Sequence, residues 1–175
     1  MIYFTADTHF GHANVIKHCN RPFKTTEEMD ENLIMLWNKT VREKDTIYIL
    51  GDMFFRNTVP CEEYLKKLNG KKYLIVGNHD KDWMKTISLS KYFLDVTPLM
   101  TVNDGQHKFT LCHYPMLRWK GSYMIHGHVH TTKGEWFSYV KNNPQILNAG
   151  VDINNFKPVN FEKLIKNNIA FKQSN

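Results

Sequence analysis

Three short apolar segments constrain this chain most, because polar residues follow each of them directly. Residues 2–6, 46–50 and 73–76 are rich in the β-branched and aromatic residues that favour strands. Helical patterns lie between them, so the first half alternates strand and helix. This alternation predicts an α/β fold with a parallel sheet. In such sheets ligands bind beyond the carboxyl ends of the strands, which is where the polar residues fall.

The two intervening segments carry ordinary helix signals. Thr25 and Glu28 fit a capping box, and apolar residues then recur at helical spacing up to Val41. Pro60 is placed to open a second helix, which Gly70 ends. We expect these helices to build the core rather than to carry chemistry.

The second half predicts further strands. Four strand-like runs follow one another at residues 99–102, 108–112, 123–125 and 145–148. The first two flank the glycine-containing turn 103–106, which is a hairpin signal. Asn160 is placed to cap a final helix. No repeat or linker interrupts the sequence, so we predict a single domain over residues 1–175.

Charge and cysteine content indicate which binding partners and which cellular location to expect. The chain has 23 Lys+Arg against 17 Asp+Glu, a formal net charge of +6. This excess favours anionic partners without being a nucleic-acid signature by itself. The three cysteines do not form a disulfide pattern, which favours a reducing, cytoplasmic location. No apolar stretch approaches the roughly 20 residues that span a bilayer, so we expect no membrane partner; the oligomeric state stays open.

The residues after the strands form one set of candidate ligands. They are Asp7, His9, Asp52, Asn78, His79, His113, His128 and His130. Carboxylates, an amide and imidazoles together suit first-row divalent metals better than Mg²⁺ or Ca²⁺, which prefer oxygen alone. The set is too large for one tetrahedral ion and suits two ions that share a bridging carboxylate. Two divalent ions carry more positive charge than Asp7 and Asp52 neutralise. This excess favours an anionic substrate such as a phosphoester.

Two points about these clusters come from local geometry. Each cluster taken singly is also compatible with an ordinary polar turn. Alternate residues of a regular strand point to opposite faces, so His128 and His130 converge only if their segment is an irregular loop. Gly127 permits such a loop.

The order of the clusters resembles that of the calcineurin-like metallophosphoesterase superfamily. The blocks are Asp7-x-His9, Gly51-Asp52, Gly77-Asn78-His79-Asp80, His113 and Gly127-His128-x-His130. The sequence Asn-Ala-Gly-Val-Asp at 148–152 also looks like the small bacterial and phage members. The resemblance implies a four-layer α/β/β/α sandwich with the metals between the strand ends.

The resemblance also implies a role for each residue. Asp7, His9 and His130 would hold a first metal, and Asn78, His113 and His128 would hold a second. Asp52 would bridge the two ions, and a metal-bridging hydroxide would attack phosphorus. His79, oriented by Asp80, would protonate the leaving group, a task that suits imidazole near neutral pH.

Four further residues are candidates for substrate contact: Arg56, His12, Arg118 and Trp119. Family phosphatases carry Gly-Asp-x-x-Asp-Arg, and here Arg56 keeps its offset while Phe55 replaces the second Asp. Arg56 is therefore either a phosphate clamp or a surface arginine. Trp119 is either a platform that stacks a base beside a cation or part of a packed loop. A structural role is the alternative for His12.

We therefore predict a dinuclear metal-dependent phosphodiesterase that acts on nucleotides or nucleic acid. Manganese is the first choice of ion, with iron, zinc or nickel as alternatives. A phosphomonoesterase acting on small metabolites or phosphoproteins is the alternative activity. A non-catalytic scaffold is expected to lack His79 or several ligands, and a metal-storage or metal-sensing protein would not need His79.

Overall fold

Two four-stranded sheets form the centre of the protein. A computed structural model describes residues 1–174, so residue 175 of the predicted domain lies outside the described residues. The first sheet consists of β1 (Ile2–Thr5), β2 (Thr46–Ile49), β3 (Lys71–Ile75) and β4 (Phe93–Thr97). These strands pair in chain order and are all parallel, which confirms the predicted parallel sheet.

Strand β4 is missing from the sequence-based prediction. It lies at the edge of the sheet, where Leu94 and Asp95 are both exposed, so no apolar alternation marks it. Its pairing with β3 is also irregular between Lys72 and Tyr73. Pro98 alone separates β4 from the first strand of the second sheet.

The second sheet consists of β5 (Leu99–Asn103), β6 (Lys108–Cys112), β7 (Tyr123–His126) and β8 (Ile146–Asn148). Strands β5 and β6 form the predicted antiparallel hairpin. The other two pairs are parallel, so β6 and β7 end at the same edge of the sheet.

Five α-helices accompany the sheets within residues 1–174. They are α1 (Ala13–His18), α2 (Thr26–Thr40), α3 (Cys61–Leu65), α4 (Phe137–Lys141) and α5 (Phe161–Gln173). Thr25 caps α2 by accepting the Glu28 amide at 3.2 Å, and Asn160 caps α5 by accepting the Lys163 amide at 3.1 Å. Both predicted caps are confirmed.

Each sheet is covered on both faces, which produces four layers. Along β2, Ile47 packs against the cluster that includes α2, whereas Tyr48 enters the cluster between the sheets. Along β7, Ile125 enters that same central cluster, whereas Met124 packs with α4 on the far side. The fold is thus the expected α/β/β/α sandwich. No helix in residues 1–174 has the length and apolarity needed to cross a membrane.

A truncation of Phe4 tests whether the two sheets unfold together. Phe4 is fully buried, with its ring 5.5 Å from that of Phe109 in the other sheet. Phe4→Ala should lower the free energy of unfolding by about 3–5 kcal/mol, because it removes apolar contacts and leaves a cavity. Urea unfolding followed by circular dichroism should show one transition at lower urea with an unchanged slope.

The exposed Leu94 provides the matched control. Leu94→Ala should change the free energy of unfolding by less than about 0.5 kcal/mol. Two separate transitions in either variant would contradict the single domain predicted for residues 1–175.

Candidate metal centre

The candidate residues lie in the loops that leave the carboxyl ends of both sheets. Asp7 and His9 follow β1, Asp52 follows β2, Asn78 and His79 follow β3, His113 follows β6, and His128 and His130 follow β7. Backbone hydrogen bonds tie these loops together. The amide of His9 donates to the Asp52 carbonyl at 3.1 Å, and the amide of Gly127 donates to the His113 carbonyl at 3.0 Å.

Five of the candidate ligands have a left-handed backbone. Their φ angles are 57° at Asp7, 51° at His9, 53° at Asp52, 72° at His128 and 47° at His130. This conformation is uncommon for residues other than glycine and costs roughly 1–2 kcal/mol per residue. Strain of this kind concentrates at functional sites, where the surrounding structure maintains it. The two positive φ angles in the last loop confirm that this segment is irregular.

Asp7, His9 and His130 form a first group of ligand atoms, all within 4.8 Å of one another. The rings of His9 and His130 stack at 5.2 Å. Both ring nitrogens of His9 are buried and have no hydrogen-bond partner among the described residues. Burial lowers the pKa of His9 well below its usual range, so the ring is neutral and offers a lone pair. An unpartnered, neutral imidazole in this position fits a metal ligand.

Asp7 adds a buried carboxylate to the first group. Burial raises the pKa of Asp7 to about 6, although the backbone amide of His128 donates to both carboxylate oxygens at 3.0 Å. A cation beside Asp7 would stabilise its ionised form.

Asp52, His113 and His128 form a second group within the same 4.8 Å limit. Nδ1 of His113 lies 2.7 Å from the Leu50 carbonyl oxygen and donates its proton there. Nε2 lies 2.9 Å from Oδ1 of Asn78. Burial lowers the pKa of His113, but the hydrogen bond to Asp52 and the charges of Asp7 and Asp52 raise it above its usual value. A cation bound here would take the place of the Nε2 proton and could share Asn78 Oδ1 as a ligand.

Asp52, a member of the second group, also faces the first group. Its Oδ2 is 3.8 Å from His9 Nε2 and 3.4 Å from His113 Nε2. Burial alone would raise the pKa of Asp52, but hydrogen bonding and charge from His113 lower it to about 2. This ionised carboxylate therefore faces ligand atoms of both groups.

His79 lies at the open side of this centre. Its Nε2 is 3.9 Å from Asp52 Oδ2, and its side chain is 35% exposed. The backbone amide of His79 donates to Asp52 Oδ1 at 2.9 Å, which fixes the loop against the second strand exit. The ring of Phe55 lies 4.0 Å from the imidazole, where the family pattern has a second Asp.

Asp80 does not orient His79, which corrects the sequence-based expectation. The Asp80 carboxylate is fully buried and accepts hydrogen bonds from the amides of Gly77, Asp52 and Met53 at 2.8–2.9 Å. It also accepts one from Nε1 of Trp83 at 2.8 Å. Both oxygens of Asp80 thus accept hydrogen bonds from these four donors, and not from the His79 ring as predicted. Asp80 therefore ties the second strand exit to the third.

Two predicted substrate contacts lie beside His79. The Arg56 guanidinium lies over the ring of Phe55, 5.1 Å from its centre. The half-buried ring of His12 meets the same Phe55 ring edge-on at 4.9 Å. Both residues therefore contact the aromatic ring that packs against His79.

Trp119 is packed rather than presented to a ligand. It lies against the apolar cluster of Met124, Phe137, Val140 and Ile146 on the outer face of the second sheet. Its indole nitrogen is buried. Of the two alternatives for Trp119, these contacts favour the packed loop over the base-stacking platform. Arg118 is an exposed cation with no role that the structure explains.

Two residues next to the centre are missing from the predicted site. The Asp152 carboxylate lies 2.8 Å from Nδ1 of His130, and Arg21 binds the same carboxylate. Asp152 could have been found from the sequence, because it is an acidic residue that follows a predicted strand, at the end of the 148–152 block. Arg21 carries no local signal, because only the tertiary fold brings it to Asp152.

Comparison with known proteins agrees with this geometry. Residues 1–167 match the calcineurin-like phosphoesterase family, and the chain belongs to that family. An uncharacterised protein of Methanocaldococcus jannaschii is 36% identical over 171 residues, which cover 94% of this chain and 89% of that protein. The chain is therefore a metal-dependent phosphoesterase, a hydrolase acting on phosphoesters.

Solved structures support the fold. A protein of unknown function from Aquifex aeolicus superposes with a TM-score of 0.75 at 28% identity, covering 95% of this chain and 98% of that one. A nuclease of Pseudomonas putida superposes with a TM-score of 0.51 at 24% identity, covering 74% of this chain and 61% of that one. At that identity the likeness to the nuclease shows the fold alone.

A substitution at Asp80 tests whether its carboxylate ties the second strand exit to the third or orients His79. Asp80→Asn replaces one acceptor oxygen by an amide that donates, and so leaves buried amide donors without a partner. The free energy of unfolding should fall by about 2–4 kcal/mol, measured by urea titration. Asp95→Asn on the exposed edge strand is the control and should change little. An Asp80→Asn variant of unchanged stability would contradict the tie between the strand exits.

Proposed function

We propose that this protein is a dinuclear metal-dependent phosphodiesterase. The observation that supports this most is the placement of Asp52, ionised and buried, in the second group of ligand atoms with its Oδ2 also facing His9 of the first group. The unpartnered ring nitrogens of His9 point to the same conclusion, because burying them without a partner would otherwise carry a desolvation cost.

In this proposal each ion has its own ligands. Asp7, His9 and His130 hold one ion, and Asn78, His113 and His128 hold the other. Asp52 is shared between them. Two bound divalent ions would supply a nucleophile at neutral pH and neutralise the charge that develops on the phosphoryl oxygens. Manganese is our first choice, because the mixed nitrogen and oxygen donors suit a first-row divalent ion.

His79 is proposed as the proton donor. Its ring is partly exposed beside Asp52, so it can reach both the centre and a substrate. Phe55 packs against it instead of a carboxylate, and Asp80 is occupied by other donors. Packing against Phe55 and the hydrogen bond from the His79 backbone amide to Asp52 therefore hold the ring in place. In this proposal the ring transfers its proton to the oxygen of the leaving group.

The surroundings of His79 favour a diester. A cavity of about 610 Å³ lies beside it, with Phe55, Arg56 and Trp83 among its lining residues. A second cavity of about 350 Å³ lies on the His12 side, and Arg56 also lines that one. A phosphodiester carries a substituent on each side of phosphorus, and these two spaces offer room for both. The net charge of +6 also favours a polyanionic substrate.

Two weaker lines agree with nucleotide or nucleic-acid chemistry in the cytoplasm. The same fold serves a nuclease in Pseudomonas putida, so this architecture can support diester hydrolysis. Cys19, Cys61 and Cys112 are free thiols, which suits a reducing compartment.

A metal-reconstitution assay tests the proposed function. Chelated protein is loaded with Mn²⁺, Fe²⁺, Zn²⁺ or Ni²⁺ and offered an aryl monoester, an aryl diester, cyclic nucleotides and single-stranded nucleic acid. We expect turnover with Mn²⁺ and higher kcat/KM for the diesters. Absence of turnover with every ion would contradict an enzyme, and a profile restricted to the monoester would replace the diester proposal by the monoesterase.

A substitution of His79 tests the proton donor through the leaving group. His79→Asn should lower kcat about 10²–10⁴-fold for a diester that releases a nucleoside, because an alkoxide needs the proton. The loss should be much smaller for a nitrophenyl diester, whose leaving group is stable without one. His107→Asn in the distant β5–β6 hairpin is the matched control. Equal losses with both substrates would contradict proton donation.

Removal of Arg56 tests the phosphate clamp. Arg56→Ala should reduce kcat/KM for the diester about tenfold, mainly through KM, because it removes a cation that binds substrate. Arg42→Ala is the exposed control. A change within about twofold would show that Arg56 is an ordinary surface residue.

A further inference from the structure

The Asp152 carboxylate lies directly behind the ring of His130. Its Oδ2 is 2.8 Å from Nδ1 of His130, and its side chain is only 2% exposed. Asp152 belongs to the short turn Val151–Ile153 that follows β8, so it comes from a different loop than His130. The contact therefore exists only because the fold brings the two loops together.

This contact fixes the tautomer of His130. A carboxylate facing Nδ1 accepts the proton there, so Nε2 is the ring nitrogen left to bind a cation. His130 lies in an irregular loop with a left-handed backbone, so no strand sets the direction of its ring. The hydrogen bond to Asp152 supplies that direction.

Arg21 connects Asp152 to the other ligands of the same group. Its Nε and Nη2 donate to the two oxygens of Asp152 at 2.8 and 3.1 Å. The guanidinium also donates to the backbone carbonyls of Asp7 at 2.7 Å and Thr8 at 2.9 Å. Its side chain is fully buried. One cation thus joins the loop that carries Asp7 and His9 to the carboxylate that holds His130.

The same neighbourhood offers a competing interpretation. Ligand atoms of Cys19, His130 and Asp152 lie within 4.8 Å of one another and resemble a separate metal site. Arg21 argues against that interpretation, because its guanidinium already occupies both oxygens of Asp152 and would repel a second cation there. The carboxylate therefore serves the imidazole and the guanidinium.

The second group of ligands has a different arrangement. Nδ1 of His113 donates to the backbone carbonyl of Leu50, which is a neutral acceptor. A carboxylate partner makes a ligating imidazole more basic than a neutral partner does. The two groups should therefore bind metal with unequal strength, and the inequality should depend on Asp152.

We propose that Asp152 and Arg21 are a positioning pair that orients His130 and sets the affinity of the Asp7–His9–His130 group for its ion. The proposal rests on the proposed function, because it takes His130 as a ligand. The pair acts through His130 and through the loop after β1, and it does not touch the substrate.

Calorimetric titration of the chelated full chain with Mn²⁺ tests this pair. We expect the unmodified protein to bind two ions and Asp152→Asn to bind one of them about 10–100-fold more weakly, with the other nearly unchanged. Asparagine keeps the size of the side chain and removes its charge. In the Co²⁺-loaded protein, the visible absorption bands of one ion should shift. Asp95→Asn on the exposed edge strand is the control and should match the unmodified protein.

A second variant covers the case in which Asp152→Asn leaves Arg21 as an uncompensated buried charge and does not fold. Arg21→Met combined with Asp152→Asn removes both charges, which buried ion pairs often tolerate. This double variant should fold and should show the same selective loss of one ion. A double variant that also fails to fold would show that the pair serves folding, and the proposal would be overturned.

The titration separates this proposal from the function beneath it. An unmodified protein that binds no ion would contradict the dinuclear site itself. An unmodified protein that binds two ions, together with an Asp152→Asn variant that binds both equally well, would overturn only the positioning pair. Equal weakening of both ions would show a general loosening of the centre and would also overturn it.

Discussion

The arrangement of the site depends on the contacts that the Asp52 carboxylate makes with its neighbours. Oδ2 faces the imidazoles of His9 and His113, while Oδ1 accepts the backbone amide of His79. One buried anion thus organises residues from three strand exits. Gly77 allows this closeness, because a Cβ at that position would overlap the carboxylate. The surrounding imidazoles, His113 above all, keep the anion ionised in spite of its burial.

The strain and burial around Asp52 require support from residues outside the candidate ligand set. Left-handed residues cluster in the loops after β1, β2 and β7. The five candidate ligands among them each have a hydrogen bond to a residue outside their own loop. Asp80 supplies acceptors for the loops after β2 and β3. Arg21 donates to the loop after β1, and Asp152 accepts from His130 in the loop after β7. The packed core between the sheets holds both sets of strand ends at one edge, so the loops need only short connections to meet.

The fold class and the candidate ligands could be predicted because their signals are local. Apolar runs, caps and a hairpin turn mark most strands and helices, and the ordered clusters identify the family. Other features depend on tertiary contacts that no local pattern contains. Edge strand β4 lacks alternation. The direction of the Asp80 side chain depends on the amides of Asp52 and Met53, 28 and 27 residues away, and that of Trp119 depends on its apolar partners. Arg21 is more than a hundred residues from Asp152 in the chain, so the sequence alone offers no reason to pair them.

The central claim is that Asp52 joins two metal ions, and anomalous scattering from Mn²⁺-loaded crystals tests it most directly. The account predicts two anomalous peaks about 3.5–4 Å apart, with the Asp52 carboxylate between them. One peak should lie against Asp7, His9 and His130, and the other against Asn78, His113 and His128. A single peak at full Mn²⁺ loading, or two peaks that do not share Asp52, would contradict it.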